Sequence, residues 1–207
     1  MLVSSVLSIF SLVILSACSR AVVIVPGATW TDTSGNVIQA HGGGILKAGW
    51  VDLLLSSDMV SWTRQNDALT PISGSMISTS NIVERPKVLF NKVTSEYVMW
   101  FHSDSSNYGA AQVGVATAKS PCGPYTFKSS FKPLGAESRD MGLYQDDDAS
   151  QTAYLLYASD NNQNFKISKL DSNYYNVSSQ TSVLSGSTLE APGIIKRNGR
   201  NGARPTQ

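Results

Sequence analysis

Three carboxylates, Glu84, Asp140 and Glu190, open three look-alike segments spaced 56 and 50 residues apart. The segments read Val83-Glu84-Arg85-Pro86-Lys87-Val88-Leu89-Phe90, Ser138-Arg139-Asp140-Met141-Gly142-Leu143-Tyr144 and Leu189-Glu190-Ala191-Pro192-Gly193-Ile194-Ile195. Taken singly, each acid reads as an ordinary strand-end residue in a turn. In register, the three can converge on one cavity. There they cannot all stay freely ionised, so at least one is expected to hold its proton above the usual carboxylate range. Such a carboxyl can act as a general acid on a glycosidic oxygen near neutral pH. Arg85 and Arg139 each stand beside one of these acids, and pairing across the cavity would act in the opposite direction. An earlier opening, Gln39-Ala40-His41-Gly42-Gly43-Gly44-Ile45-Leu46, fits the same frame with His41 in the place of the acid.

The elements that must position these side chains are short. No long stretch of helical periodicity follows the first twenty residues. Apolar runs recur instead, at Tyr97-Val98-Met99-Trp100, Val113-Gly114-Val115-Ala116, Tyr154-Leu155-Leu156-Tyr157 and Phe165-Lys166-Ile167. Clusters of Gly, Asn, Asp, Ser and Pro separate them, which is the pattern of antiparallel hairpins. A repeat of about 50 residues matches a four-stranded propeller blade. In such a blade the first strand lines the central axis, so equivalent strand starts meet in one pocket. The predicted fold is all-β.

Charge and composition narrow the function. Sixteen Lys+Arg against fifteen Asp+Glu give a net charge of +1 over 207 residues. That balance argues against a basic groove for nucleic acid. Residues 2–17 are uncharged and almost all apolar or small, too short for a comfortable membrane span of roughly 20 residues. With the small residues Ser16-Ala17-Cys18-Ser19 behind them, residues 1–19 are expected to be a secretory signal peptide and residues 20–207 the domain. The protein is thus expected outside the cytoplasm, or lipid-anchored through Cys18 if the source is bacterial. Asn176-Val177-Ser178 is a glycosylation sequon in a eukaryotic setting. Asp146-Asp147-Asp148 lacks the spacing of a calcium loop and reads as a solvated turn. His41 and His102, the two histidines, lack partners at zinc-ligand spacing. Neither a metal nor a cofactor is called for. His41-Gly42-Gly43-Gly44 comes without the Gly-x-Ser-x-Gly elbow a lipase-type hydrolase requires.

Ala28-Thr29-Trp30-Thr31-Asp32-Thr33, the glycine segment after Gln39, Val83 to Lys87, Ser138 to Met141 and Glu190-Ala191-Pro192 together resemble glycoside hydrolase family 43, in its galactan 1,3-β-galactosidase branch. The resemblance runs from about Pro26 to about Arg200. It implies a five-bladed β-propeller that removes terminal galactose from β-1,3-galactan with inversion. It further implies that Glu190 is the general acid and that Asp140 tunes and orients it. Glu84 and Tyr108 would hold the terminal sugar, with Trp30, Gln39 and His41 facing the same cavity. The expected partner is a poly- or oligosaccharide, and the expected state a monomer.

Two departures from the family pattern shape the remaining expectations. The stretch from His41 to Asp58 is about one strand and a turn shorter than its counterparts, so the chain is expected to pass from Trp50 directly into a third strand. After Arg200 the residues are polar and include Pro205, so about three blades plus one strand are expected. The family's base matches a glutamine beyond this point. Little hydrolysis is therefore expected of the chain as written. The alternatives are a catalytically silent carbohydrate-binding propeller and a fragment that does not fold alone.

Overall fold

The computed structural model describes residues 28–38, 45–47, 50–58, 60–197 and 200–206. The signal-peptide segment, Cys18, Gln39 and His41 lie outside these residues. The regular structure of the described residues is almost all strand: β1 Ile45–Lys47, β2 Trp50–Asp52, β3 Leu54–Leu55, β4 Thr63–Arg64, β5 Ile82–Asn91, β6 Glu96–Asp104, β7 Gln112–Ala118, β8 Thr126–Phe131, β9 Met141–Gln145, β10 Ala153–Ser159, β11 Asn164–Leu170, β12 Val177–Ser185, β13 Glu190–Arg197 and β14 Arg200–Thr206. Among the described residues, no helix is long and apolar enough to cross a membrane.

Two four-stranded antiparallel sheets dominate, β5-β6-β7-β8 and β9-β10-β11-β12, each a meander in chain order. Their middle strands β6, β7 and β10 are buried on both faces and read as near-continuous runs of apolar and small residues. In β6, Val98 and Trp100 point into a core shared with Met141, Leu155, Tyr157 and Leu170 of the next sheet. Met99 and Phe101, on the opposite face, pack with Ala68, Leu69 and Ile77 from the preceding segment and with Tyr125 from the turn before β8. The two sheets thus stack face to face as adjacent blades. First strands touch first strands, β5 against β9 and β9 against β13, so these form the inner wall. The architecture is a partial β-propeller, as the sequence predicts.

Local chemistry sets the turns. The Asn91 side chain accepts the amides of Val93 and Thr94 at 2.8 and 3.0 Å, closing the β5–β6 turn. Asp160, Asn161 and Asn162 take left-handed φ of 53–60° between β10 and β11, a conformation that Asp and Asn tolerate better than most residues. Asp148 caps the β9–β10 turn through the Thr152 amide and hydroxyl. Its neighbours Asp146 and Asp147 both bind the Lys196 ammonium of β13. The aspartate triplet is therefore a turn, as expected, and also a tie to the next inner strand.

Both ends of the chain differ in detail from the sequence reading. Ile45–Lys47 pairs antiparallel with Trp50–Asp52, and β3 pairs with β4. A second strand does follow the first, in place of a direct passage into a third. The polar stretch expected to leave the last inner strand alone instead folds back on it: β14 pairs antiparallel with β13 from Arg200 to Thr206. Polar side chains do not prevent pairing there, because the ladder is made by backbone groups.

Candidate active site

The inner strands deliver the three acids to one end of the wall. β5 and β13 begin alike, with a Glu, one residue, then a Pro, and each slips register there: between Glu84 and Lys87, and between Glu190 and Gly193. The intervening residues, Arg85 and Ala191, have φ of 53° and 45°. Proline lacks the amide that would continue the ladder, and the extra residue forms a bulge that re-aims the side chain before it. Two bulges thus stand at matching strand starts, each directly after one of the acids, Glu84 and Glu190. The left-handed backbone costs of order 1–3 kcal/mol at each non-glycine position.

Asp140, on the strand between, joins the two. Its Oδ1 accepts from Arg85 Nε at 2.6 Å, with both side chains largely buried. Its Oδ2 accepts from the Ala191 amide at 3.1 Å. One carboxylate therefore binds the residue after Glu84 with one oxygen and the residue after Glu190 with the other. Gly142, two residues along β9, makes this spacing possible. A Cβ there would lie 2.3 Å from the Pro192 carbonyl oxygen.

Glu84 is held on both oxygens. The Tyr108 hydroxyl donates to Oε1 at 2.9 Å, and His102 Nδ1 lies 3.4 Å from Oε2. The His102 bond, supported by Tyr108, lowers the Glu84 carboxyl against the opposing effect of burial. The raised carboxyl expected of the axial set is thus not found at Glu84, where hydrogen bonds to the ionised form prevail. Burial and the neighbouring Glu84 charge raise the Tyr108 hydroxyl, which stays a donor. Arg85 pairs across the axis as anticipated. Arg139 instead donates to the Tyr108 carbonyl at 3.0 Å and sits 3.9 Å from Glu137. Glu84, Tyr108, Arg139-Asp140 and Arg85 close a ring spanning two blades.

Sequence reasoning missed His102 and Asp104. His102 Nε2 lies 2.9 Å from Asp104 Oδ2. Burial pushes the Asp104 carboxyl up, but the amides of Ala111 and Ala110 and the His102 ring outweigh it and leave it lowered. A polar His-x-Asp pair closing an apolar strand was the available signal, since residues two apart share a face. Of the remaining predicted residues, Glu190 is exposed at the start of β13, and Trp30 is 39% exposed beside a short turn whose Thr31 pairs with Val37. No hydrogen bond among the described residues joins Trp30 to the acids. Trp100 is core, as predicted, its indole donating to the Tyr174 carbonyl at 2.7 Å. Among the described residues, no His, Cys, Asp and Glu cluster could hold a metal ion.

The starts of three successive inner strands thus meet at one end of the stacked β-blades, where Arg85 and the Ala191 amide fix Asp140. The model for glycosyl hydrolases family 43 matches residues 47–201, and the chain belongs to that family. Its structure is similar to an exo-β-1,3-galactanase from Phanerochaete chrysosporium solved with galactose, at 66% identity and TM-score 0.83, over 89% of this chain and 48% of that one. A variant of that enzyme with β-1,3-galactotriose matches at 67% identity and TM-score 0.81, over 86% and 46%. An exo-β-1,3-galactanase from Clostridium thermocellum matches at 34% identity and TM-score 0.77, over 86% and 44%. The chain thus spans slightly under half the length of these solved structures. A comparison with curated protein sequences gave no match.

Proposed function

We propose that this chain carries the sugar-holding and acid side of a glycosidase that releases terminal galactose from β-1,3-galactan with inversion. The observation that supports the reading is the two-sided hold on Asp140 by Arg85 and the Ala191 amide, the residues that follow Glu84 and Glu190 in sequence. Glu190 is the general acid that protonates the leaving oxygen. Asp140, beside it in space through Ala191, orients it and keeps negative charge near the developing oxocarbenium centre. Glu84 accepts hydroxyls of the terminal sugar, and Tyr108 lines that pocket. The galactose and galactotriose in the similar Phanerochaete structures support the choice of sugar. The protein acts outside the cell as a monomer.

The test is galactose release from β-1,3-galactotriose by the 207-residue chain, compared with Glu190→Gln, alongside galactose binding by calorimetry. Release that Glu190→Gln lowers at least a hundredfold supports the glycosidase. Binding without release identifies a carbohydrate-binding propeller instead. Neither binding nor release overturns both readings. The anomer first formed, read by proton NMR, tests inversion.

A further inference from the structure

Beyond the acids lies a buried pair that the reaction itself does not require. Asp104 has no exposed side-chain surface and His102 only 2%. Each Asp104 oxygen has a separate task. Oδ2 faces His102 Nε2, and the ring's other nitrogen faces Glu84 Oε2. Oδ1 accepts the amides of Ser105, Ala110 and Ala111 at 2.7–2.9 Å. Those three bonds fold the loop after β6 into the tight turn on which Tyr108 stands, itself at φ 57°. Tyr108 then reaches Glu84 Oε1. Both arms from one buried carboxylate therefore end on the two oxygens of one half-exposed carboxylate. A His-Asp pair serving only to fill the core would cost more than an apolar pair of equal size.

We propose that Asp104 and His102 are positioning residues that act through Glu84, fixing the direction of its oxygens and so the grip on the terminal sugar. This inference rests on the galactose-binding reading above. It predicts that the two residues matter only while Glu84 is there to be positioned.

A double-mutant cycle on the full chain reads that dependence. His102→Gln is expected to weaken galactose binding about tenfold. Asp104→Ala removes the acceptor for both the loop amides and His102, so it is expected to weaken binding at least as much as His102→Gln. In Glu84→Gln, adding His102→Gln is expected to change affinity less than twofold. Unchanged affinity in both single variants, or a full further loss in the double, overturns the proposal. A second measurement is independent of sugar binding and of variants at buried sites. In ¹⁵N-histidine-labelled protein the His102 Nδ1 resonance is expected to move on Glu84→Gln, a change at a half-exposed position. An unmoved resonance overturns the proposal even if the chain binds no galactose, which is the separate failure of the galactose reading.

Discussion

At the scale of single residues, the site is a set of hydrogen bonds to carboxylates, and their protonation sets its working range. Glu84 is held low by His102 and Tyr108. A carboxylate depressed in the folded state contributes stability that is complete above the pH where a free glutamate titrates, about 4.3, and is lost as pH falls through the folded value. The melting-temperature gap between wild type and Glu84→Gln is therefore expected to be widest near neutrality and to close below about pH 4, as followed by circular dichroism across a pH series. Tyr108→Phe keeps the ring and removes the donor to Glu84 Oε1. Calorimetry is expected to show galactose binding weakened about three- to tenfold, in line with roughly 1 kcal/mol for a hydrogen bond to a charged group in a partly exposed setting.

At the scale of elements, the inner strands carry the geometry. β9 approaches β13 closely enough that Gly142 has no room for a methyl group against Pro192. Backbone cannot yield as a flexible side chain does, so Gly142→Ala must push the two strands apart. The expected outcome is a loss of about 1–3 kcal/mol in denaturant unfolding and a larger fractional loss of galactose affinity than Leu155→Ala causes. The latter leaves the Asp140 contacts in place while costing about 2–5 kcal/mol of core packing. These same elements show what could be read in advance. Tyr97 to Trp100 and Tyr154 to Tyr157 were legible because burial on both faces leaves an unbroken apolar run. β12, Val177–Ser185, was not, since all but its first residue are exposed and a strand at a sheet's outer edge needs no apolar signature. The adjacency of the three strand starts was legible from their spacing. Their bulges were not read, although Glu-x-Pro recurs at both, and neither was the His102–Asp104 pair, because each depends on a neighbour brought in by the fold.

At the scale of the whole molecule, adjacent blades are tied at both ends of the inner wall. Asp140 makes the tie at the end bearing the acids. At the other end Gln145 Nε2 donates to the Phe90 carbonyl, Asn91 Nδ2 to the Ser172 carbonyl, and Lys196 binds Asp146 and Asp147. With a shared core between the two blades, they are expected to open as one unit. Hydrogen exchange is expected to give β6 and β10 amides the same opening free energy, with β12 exchanging earlier. Exposed and charged, the Lys196 tie is expected to matter little: Lys196→Met is expected to shift the melting temperature slightly at low salt and not at all at 0.5 M sodium chloride, where such pairs are screened. The two-sided hold on Asp140 has a consequence in time as well as in space. With one oxygen answering to β5 and the other to β13, the middle acid has its final orientation only when three successive strands have docked. A chain whose β13 has not yet docked holds Asp140 from one side only, so the settled orientation of that one carboxylate doubles as a receipt for the assembly of three strands.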